Sequence, residues 1–179
     1  VMAWYMVRAD RDDWAFVGTA VATVVIGISI FLRMYPDLGF DNSAAASVAG
    51  LVSGATGDLT ATANTITIGK NALQIDQFGT VRLNAASGLS VQGSGSLRAQ
   101  NALTITTPFV RAASAAVQSI SAGGSLSLLR PAGTQATPLT LGLGAQLSLE
   151  GATVVQNTDI LLPSGLISLR ALTGDATLG

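Results

Sequence analysis

FGTVRLNAASGLSVQGSGSL, residues 78–97, holds the unit on which the fold of this chain turns. Val81, Arg82, Leu83 and then Leu89, Ser90, Val91 are apolar, polar, apolar triplets set among Gly, Asn and Ser. Period-two alternation puts both apolar side chains of a triplet on one face, so each predicts a short half-buried strand. The device recurs at Ile66, Thr67, Ile68; at Leu103, Thr104, Ile105; at Leu126, Ser127, Leu128; at Leu147, Ser148, Leu149; and at Ile167, Ser168, Leu169. Third residues of five triplets align as Leu83, Ile105, Leu128, Leu149 and Leu169, in steps of 22, 23, 21 and 20. Such a period marks stacked coils. One coil cannot cover its own apolar face, but a neighbour about 4.8 Å away covers it and pairs its backbone. The pattern predicts three short strands per coil, roughly six coils and a rod about 30 Å long.

Composition agrees with a thin, layered core. Hydrophobic residues make up 49% of the 179 residues but aromatics only 5%, so Ala, Val, Leu and Ile must do the filling. An antiparallel β-sandwich also offers short strands at regular spacing, yet its wide core calls for more Phe, Trp and Tyr than this chain has. Nine basic and ten acidic residues leave a net charge of −1, and Lys70 is the only lysine, so there is no cationic field to hold a nucleic-acid backbone. The chain has no cysteine and no histidine. That removes disulfides, thiolate chemistry, the commonest general base and the commonest metal ligand.

Upstream the text changes character. WAFVGTAVATVVIGISIFL, Trp14 to Leu32, is 19 residues without a charge, between Asp12 and Asp13 on one side and Arg33 on the other. As a helix it would be about 28 Å long, close to the thickness of a hydrocarbon core. Trp4, Tyr5, Trp14 and Tyr35 flank it, where amphipathic rings favour the interface. A fully buried helix, or two buried strands given the β-branched content, is the alternative. The acidic cluster Asp10, Asp12, Asp13 ahead of the run fits a cleaved signal peptide poorly.

Motifs of catalysis are weak. Gly93, Ser94, Gly95 and Gly142, Leu143, Gly144 each supply two glycines of a dinucleotide fingerprint, but Arg98 and Leu147 stand at the third position. Asp10, Arg11, Asp12, Asp13 lack the alternating spacing and the glycine of a calcium loop. Asp58, Asp76, Glu150, Asp159 and Asp175 are scattered. Arg82, Arg98, Arg111 and Arg170 fall at or near outward positions, as solvated surface or as contacts for an anion or glycan. Glu150 and Arg170, twenty apart, would stack as an exposed ion pair worth about 0–1 kcal/mol. No catalytic, cofactor-binding or metal-ligating residue is assigned.

The stretches GDLTATANTITIG (57–69), FGTVRLNAASGLSVQGSGSL (78–97), LTITTPFV (103–110) and ILLPSGLISLRALTGDATLG (160–179) resemble the central rod of filamentous haemagglutinin-type exoproteins. The resemblance implies a right-handed parallel β-helix, export through a two-partner secretion pore, and adhesion at the cell surface to a host-cell glycan or receptor. The opening 35 residues, with WAFVGTA (14–20) and Tyr35, Pro36, resemble a late transmembrane region of subunit II of cytochrome bd-type quinol oxidases. That subunit is chiefly a scaffold beside the haem-bearing subunit. The resulting expectation is a mainly β chain: a hydrophobic, transmembrane helix with flanks over 1–40, a Gly/Ala/Ser connector over 41–56, and parallel β-helix repeats over 57–179. Two other readings are a membrane-embedded oxidase fragment and a β-helical carbohydrate-active enzyme, the latter needing a stacked patch of Asp, Arg or Lys.

Overall fold

The computed structural model of the chain describes residues 37–40, 57–133 and 142–179. The apolar run 14–32 and the connector 41–56 lie outside the described residues. Among the described residues no helix is long and apolar enough to cross a membrane. Asp37–Gly179 forms one compact unit.

That unit is a parallel β-solenoid of about five turns. Its strands are β1 (Asp37–Phe40), β2 (Gly57–Ile68), β3 (Asn71–Ile75), β4 (Phe78–Val91), β5 (Ser94–Ala99), β6 (Ala102–Thr106), β7 (Phe109–Ala112), β8 (Val117–Ala122), β9 (Leu126–Leu129), β10 (Gln146–Gly151), β11 (Val154–Asn157), β12 (Asp159–Leu161), β13 (Leu166–Ala171) and β14 (Ala176–Leu178). All pairings are parallel and join strands of different coils, neighbouring ones except for β7 with β12, and they sort into three faces. The first face stacks the opening halves of β2 and β4 with β6, β9, β11 and β14. On the second lie β1, the closing halves of β2 and β4, β7 and β12. The third is β3, β5, β8, β10 and β13.

Alternation within each strand sends every second side chain inward, and parallel register stacks these into ladders. Leu59, Val81, Leu103, Leu126, Val154 and Ala176 form one on the first face. Leu38, Ile66, Leu89, Val110 and Ile160 form one on the second, and Leu73, Leu97, Ile120, Leu149 and Leu169 one on the third. Most middle rungs are fully buried, each worth about 1.5–3 kcal/mol relative to an exposed aliphatic side chain. All seven triplets singled out in the sequence lie in strands.

Long strands β2 and β4 turn the corner between the first and second faces without breaking. The bend falls at the register shift between Ala63 and Thr65 and, on β4, between Ala85 and Gly88. Gly88 has φ of +135°, and a Cβ there would lie 2.7 Å from the Phe109 ring. Only glycine lets that ring close over the corner.

Two sequence expectations change. The sequence reading places residues 37–40 in the flank of the opening helix, but Leu38, Gly39, Phe40 is itself a triplet, and as β1 it stacks on Ile66 and Ile68. The alignment of Leu83, Ile105, Leu128, Leu149 and Leu169 also splits. Leu83, Ile105 and Leu128 share a first-face ladder, whose next rung is Gln156. Leu149 and Leu169 instead follow Leu97 and Ile120 on the third face. From Leu126 to Val154 the coil step is 28 residues and from Ile120 to Leu149 it is 29, against 20 to 24 elsewhere in those two ladders. One coil carries an excursion.

Candidate functional site

The extra residues of this coil fall between the end of β9 at Leu129 and the start of β10 at Gln146, a stretch of which 134–141 lie outside the described residues. The coil that contains it adds no strand to the second face among the described residues, and β7 pairs directly with β12 of the coil beyond: Phe109 with Asp159, Val110 with Ile160, Arg111 with Leu161. Among the described residues this coil thus omits its rung on the second face, and the strands on either side close up across it.

Polar side chains seal the corner where the chain departs. Buried Thr107 donates its hydroxyl to the Phe109 carbonyl at 3.0 Å, and buried Thr158 donates to the Thr107 carbonyl at 2.6 Å. Gln156 donates its amide to the Thr158 carbonyl. Arg130 at the departure point pairs with Asp159. At the return, the Gly142 N–H donates to the Ala112 carbonyl at 3.2 Å. A Cβ at Gly142 would sit 2.1 Å from the Ser114 nitrogen and 2.3 Å from the Ala113 carbonyl carbon. Backbone meets backbone there, which no larger residue permits.

Beside this seam lies a cleft of about 370 Å³ lined by Ser90, Gln92, Arg111, Ala112, Ala113, Ser114 and Gly142, a volume within the range of small-ligand sites. Ser90 and Arg111 are successive outward rungs of the second face. Gln92, Ala113 and Ser114 belong to the next corner. Ser90 is only 8% exposed, Arg111 half-buried, and Gln92 and Ser114 exposed. Among the described residues no ion pair reaches Arg111. On the paired strand β12 Arg111 faces Leu161, and Asp159, opposite Phe109, is engaged by Arg130. The cleft therefore offers one guanidinium fork, two hydroxyls, an amide and a small apolar floor. A fork of this kind binds carboxylate oxygens in pairs.

The other arginines are placed differently. Arg82 pairs with Asp58 at 3.6 Å on the first face, and Arg170 with Glu150 at 3.3 Å on the third, as their twenty-residue spacing predicts. Arg98 stands exposed on the flat third face, in register with Ser121. Among the described residues no three of His, Cys, Asp and Glu gather as a metal set.

Gln118 on β8 is a structural residue that sequence reading missed. It points inward, 2% exposed, while Val117 before it points out. Its amide nitrogen donates to the carbonyls of Gly69 at 2.7 Å and Gln92 at 2.8 Å, tying three coils together at the corner between the second and third faces. Its Oε1 has no partner among the described residues. The cleft too leaves no mark in the sequence: Arg111 reads as any of four outward arginines, and Gly142, which closes the lining beside it, stands thirty-one residues along the chain. No family model, no curated protein and no solved structure matches the chain.

Proposed function

We propose that this chain is a non-catalytic, adhesin-like segment of a filamentous haemagglutinin-type exoprotein, displayed at the bacterial surface or secreted, whose rod presents a binding surface for a host-cell glycan or receptor. In this reading the coil is right-handed, a two-partner secretion pore exports it, and the apolar run 14–32 is a membrane contact. What carries the reading is a parallel β-solenoid that bears a polar cleft on its second face, beside the coil that adds no described strand there. Supporting it are the stacked hydroxyl rungs on the outer faces, such as Ser96, Ser119, Ser148 and Ser168, and the wording of the triplets themselves. Stacked short-chain hydroxyls and one arginine can hold a polyhydroxyl ligand by hydrogen bonds. Breaking a bond would need an activated nucleophile or a paired acid and base.

The test is to pass the purified full chain over an array of immobilised glycans and over cultured cell surfaces, with heat-unfolded protein as control. Saturable binding to a subset of glycans or to cells, lost on unfolding, is the expected result. Folded protein that binds neither would overturn the reading.

A further inference from the structure

The geometry points to a defined ligand class for the cleft: we infer that Ser90, Arg111 and Ser114 form a subsite for a sugar that carries a carboxylate. The inference rests on the glycan-binding reading and deepens it. Three observations select the class. First, Arg111 is the only charged residue among the described lining, it is half-buried, and no described carboxylate pairs with it. A guanidinium held partly out of water attracts an anion more strongly than an exposed one does, and its planar fork matches a carboxylate. Second, Arg111 faces Leu161 on β12, and the acid of that strand, Asp159 opposite Phe109, is already paired with Arg130. Third, the rest of the lining is Ser90, Gln92 and Ser114 around Ala112 and Ala113. Hydroxyl and amide groups suit the hydroxyls of a sugar ring, and the alanines suit its C–H face.

The apolar floor is small and no aromatic ring is among the described lining, so a single sugar unit should bind weakly, with Kd on the order of 1 mM. Affinity would grow by adding units along the outward hydroxyl rungs. Charge attraction at a half-exposed site is screened, so binding should weaken as salt rises.

The experiment titrates the full chain with glucuronate, glucose and acetate, followed by ligand-observed NMR. Expected are saturable glucuronate binding, at least tenfold weaker binding of glucose and of acetate, and at least tenfold loss for glucuronate in Arg111→Gln. Arg98→Gln, outside the cleft, should change nothing. Arg111→Lys keeps the charge and loses the fork, and it decides the matter should Arg111→Gln fail to fold; a several-fold loss is expected. Glucose binding as tight as glucuronate, acetate binding as tight as glucuronate, or indifference to both Arg111 variants would each overturn the inference. A folded chain that binds neutral glycans on the array without dependence on Arg111 sinks this inference and leaves the adhesin reading standing, whereas binding to no glycan and no cell surface sinks both.

Discussion

Strands β10 and β13 carry nearly the same words in the same register, one coil apart, yet their burial differs. Leu147 and Leu149 are 1% and 0% exposed, while Ile167 opposite Leu147 is 39% exposed and Leu169 opposite Leu149 is half-buried. The strands differ in neighbours: β10 lies between β8 and β13, and β13 has β10 alone. A triplet therefore contributes little by itself, and the apolar stabilisation resides in the interface between coils. The largest effect expected from a single substitution follows. Leu149→Ala should cost about 2–5 kcal/mol and Leu169→Ala about 1 kcal/mol or less, as read from equilibrium urea unfolding of the full chain. Equal losses at the two sites would break the comparison.

The same contrast shows what was legible beforehand. Strand positions were, because Ile, Val and Leu alternate with Ser, Thr and Arg wherever a strand is half covered. The Glu150 and Arg170 pair was also legible, since a period of twenty puts them on adjacent rungs. The excursion was not. Leu128 and Leu149 are 21 apart, one ordinary period, although they belong to different faces. A triplet specifies a strand but not which face it joins, and the face depends on how many residues the preceding corner consumes. Corners are only partly marked. Ala115, Gly144 and Ser164 take the left-handed conformation at successive coils of one corner, with φ of 55°, 70° and 53°. Only the glycine announces it; Ala and Ser are held there by the stack at about 1–2 kcal/mol each. Gln118 misleads outright, because the corner carbonyls of Gly69 and Gln92 recruit a polar side chain to an inward position that apolar patterning would give to Val117.

Between the coils with a described rung on every face and the one without, Gly142 offers a further comparison. Ladder side chains can repack, but at Gly142, as at Gly95 against Asn71 on the third face, backbone meets backbone, here that of Ala113 and Ser114. Gly142→Ala should cost about 1–3 kcal/mol, because the backbone must shift to admit the methyl group. It should also abolish whatever affinity the cleft has, since Ser114 and Ala113 move with it. Full stability together with unchanged ligand binding in this variant would show that the seam is looser than its distances imply.

The smallest effect sharpens the account of the last coil. Glu150 and Arg170 join β10 to β13 from outside while Leu149 and Leu169 join them from inside. The Arg170 side chain is 69% exposed and that of Glu150 36%, so water and salt screen the pair and its contribution should be about 0–1 kcal/mol at low salt. Glu150→Gln keeps the shape and removes the charge. Its urea midpoint should fall slightly in 20 mM salt and merge with that of the unchanged protein in 0.5 M salt, where the Debye length is only about 3–8 Å. A loss larger than that of Leu169→Ala, or one that persists at high salt, would mean that charge rather than the apolar ladder holds the last coil to the stack.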